Sequence, residues 1–124
     1  MDGEISTDEV HDLLEDDADV RIVDIRDEQA FEHSHIPDSE NIPFYELTGR
    51  VDELEDANHI VTVCPHGKSS VQAAQLIGSY EGTADALVES MAGGLEKYGM
   101  KFGLVREDTA DTDGAESTTN ESPF

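Results

Sequence analysis

A chain of 124 residues with 30 Asp and Glu against 7 Lys and Arg has a formal net charge of -23. Such a charge repels nucleic-acid phosphates and anionic lipid surfaces, which excludes both as partners. The single cysteine rules out an intrachain disulfide, no apolar run is long enough to cross a bilayer, and the polar start MDGEISTDEV lacks the apolar stretch of a secretory leader. A cytoplasmic location is the expectation. The acids run through every segment and do not form one block. That pattern suits a cytoplasm of very high salt, where dense charge is screened, better than a docking face for a basic partner, and an extreme halophile is the expected source.

In chain order, Ser6 with Glu9 forms a capping box, and Val10, Leu13 and Leu14 follow at helical spacing. VRIVDI (20–25) is a buried strand by its length and apolar run. A short helix is predicted from Asp27 to about His33. The stretch HIPDSENIP, with two prolines and no period, is a connection with a short strand near Ile42. Phe44, Leu47, Val51 and Leu54 mark one further helix, and IVTV (60–63) a second buried strand. Val71, Ala74 and Ile77 give the face of a helix that begins near Ser69. ADALVES holds the last strand, and Gly93-Gly94 opens a turn before the helix LEKYGM. Strands alternating with helices predict an α/β domain with a mainly parallel sheet over residues 1–105. Residues 106–124 have almost no apolar side chains and are expected to be a disordered acidic tail.

The chemistry concentrates in CPHGKSS (64–70), which follows the strand IVTV. In an open parallel sheet, ligands sit beyond the carboxyl ends of the strands. A cysteine there meets backbone N–H groups and the positive end of the next helix dipole, and both favour the reactive thiolate. Gly67 lets the loop wrap the sulfur, Lys68 adds a cation, and Ser69 and Ser70 can cap the helix or donate to an anion. The arrangement is an anion cradle around a nucleophilic sulfur.

At this point the chain resembles the single-domain rhodaneses, or thiosulfate sulfurtransferases. The likeness runs over about residues 3 to 103 and rests on DIRDEQAFEHSHIPDSENIP (24–43), CPHGKSS (64–70) and MAGGLEKYG (91–99). Asp24, Arg26, Phe31, His35-Ile36-Pro37 and Asn41-Ile42-Pro43 match the first signature, and Gly93-Gly94 the last. The resemblance implies a three-layer α/β/α domain with a five-stranded, mainly parallel sheet. It also implies an active-site loop from Cys64 to Ser69, and a Cys64 that takes up a sulfane sulfur as a persulfide. Pro65, His66, Gly67, Lys68, Ser69 and Ser70 would then bind the substrate. Asp24 and Arg26 would form a structural ion pair behind the site, and His35 would hold its connection by hydrogen bonds. Ser34 and Asp38 stand where glycines are usual, Ser69 where many relatives carry Arg, and Tyr98 where Trp is common.

Two rival chemistries fit less well. Dual-specificity phosphatases and arsenate reductases, to which the same fold is similar, use a loop one residue longer, closed by an arginine. Here Ser70 is the sixth residue after Cys64, and no arginine lies between Arg50 and Arg106. A zinc site built on Cys64 and His66 has the wrong spacing for about four ligands, so no metal or cofactor is expected. The expected function is sulfur transfer by double displacement, from a small anion such as thiosulfate to a thiol or protein acceptor. The alternative is a persulfide carrier that delivers sulfur to a partner in cofactor or tRNA thiolation.

Overall fold

The computed structural model of the chain describes residues 2–106. Within them, β1 (Asp2–Ile5), β2 (Arg21–Asp24), β3 (Glu40–Asn41), β4 (His59–Val63) and β5 (Leu87–Met91) make one sheet. Its spatial order is β1-β5-β4-β2-β3, and every pairing is parallel. Helices α1 (Thr7–Glu15), α2 (Glu28–His33), α3 (Phe44–Arg50), α4 (Ser69–Ser79) and α5 (Gly94–Phe102) lie in the connections.

Parallel strands need crossovers, and the crossing helices cover both faces of the sheet. The pleat sends Ile22, Val61, Val63 and Met91 to one side, where they meet Val10 of α1 and Leu95 and Tyr98 of α5. Val23, Ile60 and Val88 point the other way, against Leu47 of α3 and Ala73, Ala74 and Ile77 of α4. Each fully buried aliphatic side chain contributes ~1.5–3 kcal/mol. These two apolar layers hold β4 and β5 rigidly below the site, and the five-stranded α/β/α sandwich is the one expected.

The local readings hold with two amendments. The capping box forms: the Glu9 N–H donates to Ser6 Oγ at 3.1 Å and the Ser6 N–H to Glu9 Oε1 at 3.2 Å. The helix expected across 44–54 is two pieces, because Arg50 takes φ -124° and the apolar stripe continues as a 3-10 turn, Val51–Leu54. Strand β1 escapes a pattern reading altogether. Its sequence is DGEI, and parallel main-chain pairing from Asp2↔Val88 to Ile5↔Met91 makes it a strand. The segment read as a tail lies outside the described residues from Glu107 onward. Just before it, His35 and Val105 exchange two N–H···O bonds of 2.8 Å, which tie the chain back to the domain. No helix among the described residues is long and apolar enough to cross a membrane.

The topology also fixes where a site can form. Strand β2 leads outward to β3, whereas β4 leads the opposite way to β5. Their carboxyl ends therefore diverge, and a crevice opens between them.

Candidate active site

Alternation along β4 puts Ile60, Thr62 and Cys64 on the α4 side of the sheet, and Cys64 is only 2% exposed. The chain then turns through Pro65–Lys68 into α4. The first N–H groups of a helix have no partner inside it, and Lys68, at the N-cap position, makes no side-chain cap. The sulfur takes that role. Cys64 Sγ accepts the Ser70 N–H at 3.3 Å and the Gly67 N–H at 3.2 Å. Ser70 Oγ is also 3.3 Å away; a thiol donates to this oxygen, and a thiolate accepts its proton. Burial, the largest single influence, pushes the Cys64 thiol pKa up, but the hydroxyl and N–H of Ser70 and the N–H groups of Gly67 and His66 together pull it below the usual value. The geometry favours a thiolate, the nucleophilic form.

Beneath the sulfur lies a group of buried hydroxyls. Ser70 Oγ sits 2.7 Å from Ser90 Oγ of β5, and Thr62 Oγ1 donates to the Ser70 carbonyl at 2.7 Å. All three side chains are 1% exposed or less. Ser70 thus faces the sulfur from within the protein, while Ser69 lies on the rim. Neither serine occupies the N-cap position.

The loop rests on the Gly93-Gly94 turn. The Leu95 N–H donates to the Cys64 carbonyl at 2.8 Å and the Glu96 N–H to the Pro65 carbonyl at 3.1 Å, so α5 presents its own orphan amides to the loop. The approach is backbone on backbone: a Cβ on Gly94 (φ +71°) would stand 2.2 Å from Pro65 O, and one on Gly67 (φ +80°) 3.0 Å from Gly93 N. Both glycines adopt the left-handed conformation that other residues resist.

Asp24 ends β2 and is fully buried. It accepts Arg26 Nε at 3.0 Å on Oδ1 and Arg26 Nη2 at 2.7 Å on Oδ2. Arg26 Nη2 also donates to the Ser34 carbonyl at 2.6 Å. Asn41 Nδ2 donates to the carbonyls of Asp24 and Arg26. The β2 end is thereby locked against β3 and the connection after α2. His35 stacks on Phe31 with ring centroids 4.0 Å apart, and its Nδ1 is 2.7 Å from the Phe31 carbonyl.

Between these walls is a cleft of about 400 Å³ lined by Ile25, Arg26, Phe44, Cys64, Pro65, Ser69 and Gln72. The fold gathers Cys64, Pro65 and Ser69 there, with Arg26 opposite. Lys68 is exposed on the loop. His66 is exposed too, with Nδ1 3.6 Å from Glu96 Oε1. His35 lies outside the cleft lining, at the connection that it ties down. The sequence reading missed Ile25, Phe44 and Gln72 as cleft walls, and Ser90 as the partner of Ser70. The signal for Ser90 was a small polar residue at the carboxyl end of a strand buried on the α4 side. Among the described residues, no three His, Cys, Asp or Glu side chains are grouped to hold a metal.

The model of the rhodanese-like domain family matches residues 6–101. The chain belongs to this family. Among curated relatives, the thiosulfate sulfurtransferase GlpE of Pseudomonas syringae pv. syringae is 42% identical over 78 residues, 62% of this chain and 70% of that protein. YrkF of Bacillus subtilis, named as a candidate sulfur carrier protein, is 32% identical over 58% of this chain and 39% of its own length. The solved rhodanese-related protein of Thermoplasma volcanium superposes with a TM-score of 0.70 at 19% identity, covering 83% of this chain and 97% of that one. This last likeness is one of fold.

Proposed function

We propose that the protein is a sulfurtransferase in which Cys64 carries a sulfane sulfur as a persulfide. The observation that carries this reading is the sulfur of Cys64 set at a strand end, receiving N–H donors from Gly67 and Ser70. In the first step the thiolate attacks the outer sulfur of thiosulfate or a similar donor. A new S–S bond forms, the old one breaks, and sulfite leaves with the bonding pair. In the second step a thiophilic acceptor attacks the outer persulfide sulfur, and the Cys64 thiolate leaves.

The loop residues divide the work. The amides of Gly67 and Ser70 stabilise negative charge on sulfur at both stages, as preorganised donors that need no rearrangement. Pro65 and Ser69 form the cleft wall that receives the donor. Lys68 supplies a cation at the rim and His66 shapes the approach. Asp24, Arg26 and His35 support the site, and their bonding to one another and to the backbone favours that role over proton transfer.

A carrier reading has one observation behind it, the likeness to YrkF. A carrier would hold the same persulfide and release it to a partner protein. Turnover with thiosulfate and cyanide, set beside transfer to protein thiols, separates the two. Cys64-dependent thiocyanate production over many turnovers supports the enzyme, and a persulfide that discharges only onto a protein acceptor supports the carrier. Absence of any sulfur on Cys64 after exposure to sulfane donors overturns both.

A further inference from the structure

We propose that Ser90 is a positioning residue that acts through Ser70, aiming the Ser70 hydroxyl at the Cys64 sulfur. The assignment rests on the reading of Cys64 as the nucleophile. The chain of contacts is continuous and buried: Ser90 Oγ to Ser70 Oγ is 2.7 Å, and Ser70 Oγ to Cys64 Sγ is 3.3 Å. Ser90, Ser70 and Cys64 are 1%, 0% and 2% exposed. A hydroxyl has one proton to give. If Ser70 gives its proton to the thiolate, its oxygen is left to accept, and Ser90 is the side chain in place to donate. If sulfur holds the proton as a thiol, the S–H can donate to Ser70 and Ser70 can donate to Ser90. The pair of hydroxyls therefore reverses polarity as the sulfur gains or loses its proton, with no atom displaced beyond the hydrogens. Such a linked chain strengthens each bond in it, and the low dielectric amplifies the effect.

The strand geometry makes the role specific. Ser90 pairs in register with Thr62 on β4, two residues before Cys64 and on the same side of the sheet. Thr62 Oγ1 holds the Ser70 carbonyl, so the serine is fixed from its backbone and its side chain at once. The charged side chains on the surrounding elements are few. His66 and Lys68 lie on the loop, Asp24 and Arg26 are paired at the end of β2, and Glu96 on α5 faces His66. On β5, Glu89 engages His59, and α4 carries no charged residue in its sequence SSVQAAQLIGS.

The test is titration of the lone thiol by thiolate absorbance, which needs no sulfur donor and so stands apart from the success or failure of the sulfur-transfer reading. Ser90→Ala should raise the titration midpoint by about half a unit to one unit, a fraction of the ~1.5–3 kcal/mol of a charge-assisted bond. Ser90→Thr, which keeps the hydroxyl, should titrate like the wild type. In a Ser70→Ala background, Ser90→Ala should add no further shift, since its path to sulfur is already cut. A folded Ser90→Ala protein with an unmoved midpoint overturns the proposal, as does an equal shift with Ser70 already absent. If the alanine variant does not fold, proton NMR of the wild type decides. Buried hydroxyl protons of Ser70 and Ser90 that shift together with the thiol titration support the chain, and a Ser90 hydroxyl indifferent to it refutes the chain.

Discussion

Adding one methyl group at Gly94 should collapse the active-site loop, although residue 94 lies thirty positions from the cysteine. Gly94 has φ +71°, and its Cβ would fall 2.2 Å from Pro65 O, 2.5 Å from Pro65 C and 2.6 Å from His66 Cα. The left-handed conformation costs an L-residue about 1–2 kcal/mol. To reach ordinary contact the Pro65–His66 backbone must retreat by about 1 Å, since carbon-centred contacts settle near 3.5 Å. That retreat stretches the Leu95–Cys64 and Glu96–Pro65 hydrogen bonds, now 2.8 and 3.1 Å, each with a net contribution of about 0.5–1.5 kcal/mol. The total loss is about 2–5 kcal/mol, a large share of the ~5–15 kcal/mol that stabilises a typical domain. Chemical denaturation of Gly94→Ala measures it, with alkylation of Cys64 as a reporter of loop geometry. Gly78→Ala is the matched control: it lies within α4 with nothing within 4 Å of its Cβ, and it should stabilise by about 0.5–1 kcal/mol. A Gly94→Ala protein as stable as the wild type, with unchanged thiol reactivity, would refute the claim that backbone contact with this turn holds the loop in place.

Three further outcomes follow from the same geometry. Asp24→Asn removes the fully buried partner of Arg26 and should destabilise by about 3–5 kcal/mol, the usual cost of breaking a buried pair; a loss below 1 kcal/mol in urea denaturation would contradict the reading of this pair as a structural lock. Because the Cys64 thiol pKa is lowered in the fold, the unfolded chain binds more protons between the folded pKa and the ordinary value near 8.5, so the Cys64 contribution to stability rises with pH across that window and levels off above it. The stability difference between the wild type and Cys64→Ser should follow that curve, and a difference flat with pH contradicts it. The proposed donor, thiosulfate, is a dianion that would approach a protein of formal charge -23, so its KM should fall as salt rises to ~1 M, where the Debye length is about 3 Å. Lys68→Ala should raise KM most at low salt, and a KM that climbs with salt while circular dichroism holds steady contradicts the account.

The parts of this protein that sequence reveals are those whose cause is local. Cys64, Gly67 and the start of α4 fall within six residues, so strand, loop and helix signals reinforce one another there. The Asp24–Arg26 pair is two residues apart at a strand end, and its geometry follows from that spacing. Asp38, read as standing where glycine is usual, indeed has φ +69°. What stays hidden is made by the sheet. Glu4 and Ile5 become strand only because β5 offers an edge, and nothing in DGEI announces it. Ser90 meets Ser70 across strand order β5-β4, twenty residues away. Phe44 was legible as the first apolar residue of a helix, but its place on the cleft wall depends on how α3 docks beside β2. Ser69 and Ser70 were legible as residues able to cap the helix or donate to an anion, but only Ser70 meets the sulfur, because Lys68 occupies the N-cap position and the Ser70 N–H of α4 points at Cys64.

The central claim is that Cys64, the only thiol in the chain, carries the sulfur in transit. Intact-protein mass spectrometry after incubation with thiosulfate tests it without an acceptor assay. The wild type should gain the mass of one sulfur atom, lose it on addition of cyanide, and release thiocyanate in equal amount. Cys64→Ser, nearly the same size, should remain folded and gain nothing. A wild type that stays unmodified with thiosulfate and with organic persulfides, or a serine variant that acquires the same cyanide-labile sulfur, would contradict the account.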